Sequence, residues 1–493
     1  MSKNLIYQML PRLWGEGKFS SVDSASLDYV KSLGFNYIWY TGIVRHATSA
    51  TEKVVKGEAG SPYAITDWYD VNPYMADDPS RRMEEFRDLV SRSHAAGLKV
   101  ITDFIPNHVA REYHGAMTPE GERCLGEGDD TSVHWKASND FYYYPGEALK
   151  LPVSSDYVEF PARASGNSFT PAPDMNDWYE TVRLNYCPYY TETWGKMLSV
   201  LRFWASMGVD GFRCDMVELV PPEFMKWVIA QVKKDFPSVI FVAEVYEKER
   251  YRQYVADVGF DLLYDKSGLY DTLRQVMAGE STARAISWNW QFLADLQPRM
   301  LNFLENHDEQ RLASDFFAGS AQAGYAALAV SMLFGPESFM LYFGQEIGER
   351  GMDNEPFSGV NGRTSIFDWW KVASLQRLFK YVHNHKSGLQ GPERVILKRY
   401  SEILSLACSS PFAHGVSYDL CYCQGDGFNP EKHFAFLQSS GSETVLVVAN
   451  FGESAKISVR IPSEACEYLG LSLQQTYYEL SVPASDFLCV KCK

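Results

Sequence analysis

Gly211-Phe212-Arg213-Cys214-Asp215 decides how the chain is read. Ser206-Met207-Gly208-Val209 leads into it and Met216-Val217-Glu218-Leu219 follows, so an arginine and a carboxylate close an apolar strand. Side chains two apart on a strand share a face. Arg213 and Asp215 therefore meet, and the guanidinium can hold the carboxylate ionised. An ionised, positioned aspartate at the C-terminal end of a barrel strand suits a nucleophile. A purely structural buried ion pair looks the same locally, so the stretch has to be judged by its surroundings.

Toward the N-terminus, residues 5–10 read as a buried strand ended by Pro11, and Ser24–Leu33 as a helix stopped by Gly34. Tyr37–Tyr40 is a strand, Arg81–Ala96 an amphipathic helix ending at Gly97, and Lys99–Ile105 a strand. Alternation of this kind implies parallel strands with crossover helices. The rhythm stops between residues 109 and 186, a stretch rich in Gly, Pro, Ser, Asp and Tyr. A structureless loop of that length does not belong inside a compact domain, so 109–186 reads as an inserted domain. The pattern resumes with a helix at Thr191–Ala205, the strand at 209–214, a helix at Glu223–Lys234, a strand at Val239–Ala243 and a helix at Arg250–Val258. Strands at Phe260–Leu263, Met300–Leu304 and Ser338–Phe343 follow, among helices near 268–277, 286–296, 320–334 and 370–383. Eight strands with interleaved helices predict an α/β protein built on a (β/α)8 TIM barrel, spanning 1–108 and 187–390. Beyond it, strand-like runs at Glu402–Leu406, His433–Gln438, Thr444–Asn450, Ala455–Arg460, Thr476–Leu480 and Phe487–Lys491 predict a C-terminal antiparallel β-sandwich domain over 391–493.

With 493 residues, 46% of them hydrophobic and 22% charged, the chain has ample material for a large core. Its formal net charge of −16 offers no basic excess for nucleic acid or an anionic membrane, whereas a neutral substrate is compatible with it. No apolar run reaches transmembrane length; Tyr325–Phe334 reads as a buried helix. The start, Met1 to Tyr7, has no secretory h-region, and nine scattered cysteines do not form a disulfide framework. The simplest expectation is a reduced, cytoplasmic enzyme, unless a signal peptide has been removed. Cys421, Cys423, Cys489 and Cys492 could together supply zinc thiolates, but their strand-like, apolar settings favour packing. Aromatic residues reach 14%, with 30 Tyr and 12 Trp. They serve either a large core or platforms for sugar rings.

Chemistry in such barrels sits at the C-terminal strand ends. The third strand ends Asp103-Phe104-Ile105-Pro106-Asn107-His108, the fourth Arg213-Cys214-Asp215, the fifth Val242-Ala243-Glu244-Val245, and the seventh Glu305-Asn306-His307-Asp308. Asp215, Glu244 and Asp308 thus converge on one mouth with two histidines and an arginine. Three acids in one pocket cannot all ionise cheaply, so their pKa values must separate. Asp215, beside Arg213, is expected to be ionised. Glu244, with no cation next to it in sequence, is expected to stay protonated as a general acid. Two carboxyl groups in those roles are the apparatus of a retaining glycosidase.

These four stretches resemble the signature regions of the α-amylase family, glycoside hydrolase family thirteen. Gly344-Gln345-Glu346 after the eighth strand adds to the likeness, which extends over essentially the whole chain. By that resemblance Asp215 is the nucleophile, Glu244 the acid/base and Asp308 the transition-state stabiliser. His108, Arg213 and His307 would contact the sugar at the −1 subsite, and Asp103 would support the site from below. Tyr63, in Ser61-Pro62-Tyr63-Ala64-Ile65, stands where the family stacks an aromatic on the −1 glucose; the alternative is a core tyrosine.

The chemistry so implied needs no cofactor. Many relatives hold a structural calcium between barrel and insert, and Asn107 and Asp174 (in Pro173-Asp174-Met175-Asn176) resemble two of its ligands. Many α-amylases carry Lys-His after the nucleophile, where this chain has Glu218-Leu219. The histidine gives calcium only its backbone carbonyl, which Leu219 retains; the missing lysine contacts sugar on the leaving-group side. The resemblance implies a retaining hydrolase of α-glucan oligosaccharides, with α-1,4 bonds ahead of α-1,6. A transglycosylase of the same family is the alternative enzyme, and an inactive carbohydrate-binding member the alternative from another class.

Overall fold

The computed structural model describes residues 3–187 and 190–493. Eight parallel strands close into a barrel: β1 (Leu5–Met9), β2 (Tyr37–Tyr40), β3 (Lys99–Phe104), β4 (Gly211–Cys214), β5 (Ile240–Ala243), β6 (Leu262–Tyr264), β7 (Met300–Phe303) and β8 (Ser338–Tyr342). Each pairs with the next, and β8 returns to β1 with Leu5 opposite Phe339 and Gln8 opposite Tyr342. The strands are buried on both faces, which is why they read as continuous apolar runs. On β1, Tyr7 and Met9 pack outward under the helices while Ile6 faces inward. Ile6 joins Trp39, Ile101, Val242, Tyr264, Phe303 and Met340 in the barrel interior.

The helices between strands follow the expected pattern. Asp23 caps Ser24–Ser32 by accepting from the Ser26 N–H, and Gly34, in the left-handed region at φ 97°, turns the chain into β2. The helices Arg82–Ala95, Glu192–Ser206 and Pro222–Asp235 lie within two residues of expectation. The helix predicted near Arg250–Val258 is present, with π-helical geometry over Gln253–Val258, and a 3-10 turn (Lys248–Arg250) leads into it.

Between β3 and β4 the chain leaves the barrel and builds two-stranded ribbons, His108–Ala110 with Thr181–Arg183 and Tyr143–Tyr144 with Ala162–Arg163. A buried double ion pair knits this insert together: Glu159 meets Arg111 at 2.9 Å and Arg163 at 2.6 Å.

The C-terminal region departs from expectation at its start. Glu402–Leu406 is not a strand but part of the helix Gly391–Cys408, so residues 391–408 are not all-β. The five-residue window hid the period: Ile396, Leu397, Tyr400, Ile403, Leu404 and Ala407 are the buried apolar positions, and that spacing is helical. This helix packs on the barrel helix Tyr325–Leu333. The antiparallel sheet begins at Val416 and runs in the order Val416–Asp419, His433–Ser439, Thr444–Asn450, Phe487–Lys491. Its strands alternate faces. Leu437, Leu446 and Val448 pack on Ile457 and Val459 of the hairpin Ala455–Arg460/Tyr477–Val482. Phe434 and Phe436 meet Phe334 of the barrel at 5.0 and 4.9 Å. Cys489, on the strand Phe487–Lys491, and Cys492, just past its end, pack into these two different cores. Among the described residues no helix is long and apolar enough to cross a membrane.

Candidate active site

Arg213 is the only charged side chain pointing into the barrel from β4, and it is 1% exposed. Its guanidinium lies among the rings of Trp39, Tyr63 and Tyr264, at 5.7, 5.4 and 5.5 Å from their centres. Aromatic faces lower the cost of burying this cation, and carboxylates offset the rest. Nη1 contacts Asp215 Oδ1 at 2.5 Å, Nη2 contacts Glu244 Oε1 at 2.7 Å, and Asp308 Oδ2 stands 4.0 Å from Nη2. Arg213 is thus not the private partner of Asp215, because neighbouring strands bring Glu244 to the other arm of the same fork. Glu244 has no cation next to it in sequence, as read, and the one it meets comes from a neighbouring strand, because sequence adjacency does not report cross-strand contact.

The residue after Asp215 is strained. Met216 sits in the left-handed region (φ 43°, ψ 46°), a conformation that costs a non-glycine residue about 1–3 kcal/mol. The strained turn aims its N–H at Glu244 Oε2, 2.9 Å away. Opposite, His307 is held from both sides. Gln8 of β1 lies 2.7 Å from its Nδ1, and Nε2 faces Asp308 Oδ2 at 2.9 Å and Tyr63 OH at 2.5 Å. Tyr63 stacks on His307 with ring centres 5.3 Å apart and reaches Asp103 Oδ1 at 3.4 Å. Asp103 stands opposite Arg213 in the β3–β4 register and accepts from the Gly42 N–H.

The three acids differ electrostatically. Burial pushes Glu244 up to about 7, helped by Asp215 and Asp308 and opposed by Arg213. Burial also raises Asp215 from its ordinary value, against the pull of the Arg213 guanidinium. For Asp308 burial works the same way, but His307 outweighs it and brings the group down to about 2. Its side chain is 43% exposed, the most open of the three. Burial depresses His108 to about 3, with Arg183 adding to the effect, so this ring is neutral.

All three carboxyl groups line one cavity of about 350 Å³ together with Tyr63 and His108. Arg213, Asp103 and His307 form its supporting layer beneath. A larger cavity of about 670 Å³ lies elsewhere, between the helix Arg284–Leu293 and the C-terminal sheet, and none of the strand-end acids reaches it. A family profile described as alpha amylase, catalytic domain, matches residues 16–387. The chain belongs to the alpha-amylase family. An alpha-amylase of Haloarcula japonica is 27% identical over 357 residues, covering 71% of this chain and 44% of that protein. A 4-alpha-glucanotransferase of Thermotoga neapolitana is 23% identical over 75% of this chain and 77% of its own length. The chain therefore spans less than half of the first relative and about three quarters of the second. Among solved structures, the cyclic alpha-maltosyl-(1→6)-maltose hydrolase of Arthrobacter globiformis superposes with a TM-score of 0.68 at 16% identity, over 100% of this chain and 99% of that one.

Several residues of this alpha-amylase-family cavity escaped sequence reasoning. Trp178, Glu180 and Thr181 reach it from the insert, and Lys56, ion-paired to Glu180 at 3.2 Å, from the loop after β2. Tyr246 follows Glu244 by two residues and donates to its Oε1 at 3.0 Å. Glu218 stands where the family resemblance expects lysine. It does not enter the cavity lining but accepts the Tyr246 and Glu247 N–H groups at 2.8 and 3.0 Å, fixing the loop that carries Tyr246. Gln8 could have been suspected, as a polar residue inside an apolar strand. The insert residues carried no signal, since their approach depends on the path of the ribbons. Of the two calcium candidates, Asn107 is buried beside His108, whereas Asp174 is exposed and accepts the N–H groups of Asn176 and Asp177 in its own turn.

Proposed function

We propose that the protein is a retaining glycosidase of α-glucan oligosaccharides, with α-1,4 linkages ahead of α-1,6. A carboxylate of Asp215 attacks the anomeric carbon while Glu244 gives its proton to the departing glycosidic oxygen, and a β-glucosyl-enzyme forms. Glu244, now a carboxylate, takes a proton from water as the water oxygen attacks the same carbon. The sugar leaves as the α-anomer and Asp215 is freed. Asp308 accepts from sugar hydroxyls and strengthens its hold as positive charge develops in the ring. His108 borders the sugar, Tyr63 offers its face to it, and Arg213, Asp103 and His307 keep the acids in place. No cofactor enters these steps. The nine free cysteines fit a reduced, cytoplasmic setting.

The observation that carries this reading is the single guanidinium between Asp215 and Glu244, with Glu244 pushed up to about 7. It sets the two carboxyl groups that double displacement requires close together on one cation, with Glu244 keeping its proton up to about pH 7. Transfer to a sugar hydroxyl in place of water is the second reading, favoured by the likeness to a glucanotransferase. Retention of all three acids speaks against an inactive binding protein. The test is product analysis on maltoheptaose and panose, with and without a labelled glucose acceptor, for the wild type and Glu244→Gln. Cleavage abolished in the variant supports the reading, and labelled longer chains move it to transfer. Equal turnover by the variant contradicts it.

A further inference from the structure

A cation already stands where barrel and insert meet, and it belongs to the chain. Arg183 ends the insert ribbon, paired across it with His108, directly after Asn107. Its Nη2 donates to the Leu219 carbonyl at 2.8 Å, and its Nη1 donates to the Gly166 carbonyl at 3.2 Å. Leu219 closes the short turn that follows Asp215 and Met216, whereas Gly166 lies in the insert. One guanidinium therefore ties the loop of the candidate nucleophile to the insert, and its flat face rests on Phe169 at 4.9 Å. Burial lowers its pKa, and among the described residues no carboxylate lies within ion-pair distance of it.

The same atoms are a poor calcium site. The Asn107 amide is turned so that its Nδ2 donates to the Gly166 carbonyl at 2.7 Å, which fills that oxygen's second lone pair. Asn107 Oδ1 is buried without a partner, a single hard oxygen where calcium takes six to eight. The Leu219 carbonyl already accepts from Arg183, and the exposed Asp174 points its carboxylate into its own turn, where Oδ1 accepts from Asn176 and Asp177. A divalent ion here would also sit against an uncompensated guanidinium, at a strong Coulomb penalty.

We propose that Arg183 is a positioning residue that takes over the bridging role of a structural calcium, so that the wall of the cavity is held by a covalently tethered charge. Thr181, on the same strand as Arg183, and Trp178 and Glu180, just before it, line that wall. Fixing the end of the ribbon fixes them. The junction then cannot be loosened by chelation or by low calcium.

Two measurements on the full chain test this. Purified protein is assayed for bound metal by plasma emission, and its Tm is read in excess EGTA and in excess calcium chloride. The expected result is no stoichiometric calcium and the same Tm in both. One tightly held calcium, or a Tm that falls in EGTA, overturns the proposal. In parallel, Arg183→Met removes the charge and keeps the length. It is expected to lower Tm by about 2–4 °C and to speed amide exchange in 107–111, 178–184 and 216–219. It should also raise KM with little change in kcat. Unchanged exchange and Tm in this variant also overturn the proposal. Should Arg183→Met fail to fold, Arg183→Lys, which retains the charge, is expected to fold and to remain indifferent to EGTA; a chelator-sensitive Arg183→Lys counts against the tethered cation.

Discussion

Two buried arginines stand near the same end of the barrel, and only one faces a cavity. Arg213 contacts Asp215 and Glu244, has Asp308 at 4.0 Å, and lies under a cavity lined by all three acids. Arg311 is 0% exposed and closed on every side. It pairs with Glu305 at 2.8 Å, donates to Thr364 and the Phe343 carbonyl at 2.7 and 3.0 Å, and lies 4.1 Å over Tyr342. Burial pushes Glu305 up to about 7, just as it does Glu244. A perturbed acid beside a buried arginine is therefore no mark of chemistry in itself. What separates the clusters is surplus acid and access. Around Arg213 three carboxyl groups compete for one cation and open to a cavity, while around Arg311 one ion-paired carboxylate and two neutral acceptors lie in a site closed to solvent, with Nη2 left buried and unpartnered.

The comparison breaks most visibly under mutation. Asp215→Asn is expected to lower kcat by roughly 10⁴–10⁶-fold, as loss of a nucleophile does in enzymes whose catalytic groups act as a unit. Arg311→Met should instead destabilise by about 3–5 kcal/mol, because it leaves Glu305 buried and unpaired. The kcat of its folded fraction should stay within about tenfold of the wild type. Denaturant unfolding and single-turnover kinetics on both variants read this out. If Arg311→Met loses as much kcat as Asp215→Asn, the distinction between the clusters collapses. Asp308→Asn belongs with the first cluster and is expected to cost about 10²–10³ in kcat, the usual range for one group that stabilises developing charge.

Proton linkage sharpens the comparison further. Activity through Glu244 needs its proton, so kcat/KM should decline as pH rises through about 7. The folded pKa of Glu244 lies above its unfolded value of 4.5, so the folded state holds this proton more tightly. Its contribution to stability is full below 4.5 and lost as pH rises toward 7. Glu244→Gln, which mimics the protonated form, should therefore match the wild type near pH 4 and exceed it by about 2–3 kcal/mol near pH 8. Melting curves at the two pH values check the sign; a variant less stable than wild type at pH 8 contradicts it. The smallest effect is expected from Tyr246→Phe. Its hydroxyl donates to Glu244 and favours the carboxylate, so its loss should move the basic limb of the pH profile upward by less than about one unit.

Most of the barrel was legible because its signal is local. Buried parallel strands are mostly apolar, their helices are amphipathic and end at glycines such as Gly34 and Gly97, and Tyr37–Tyr40 falls where its sequence puts it. The strand-end acids were legible for the same reason, since each closes a recognisable strand. Contacts across strands were not. Nothing adjacent to Glu244 announces that it shares Arg213, and nothing in Thr181-Val182-Arg183 announces that the arginine crosses to Leu219. The helix Gly391–Cys408 was missed because a window as short as Glu402–Leu406 cannot tell buried helix from buried strand. Glu218 shows a related limit. A substitution at a known motif reads as a loss, while the structure gives the new side chain a task in holding the Tyr246 loop.

The central claim is double displacement through Asp215 with Glu244 as acid and base. It is tested most directly by proton NMR of the anomeric region during the first minutes of maltooligosaccharide digestion. The account predicts that the α-anomer of the new reducing end appears first and then mutarotates toward the equilibrium mixture, and that Glu244→Gln shows neither signal. First appearance of the β-anomer would contradict it, because a single inverting displacement leaves no place for Asp215 as nucleophile.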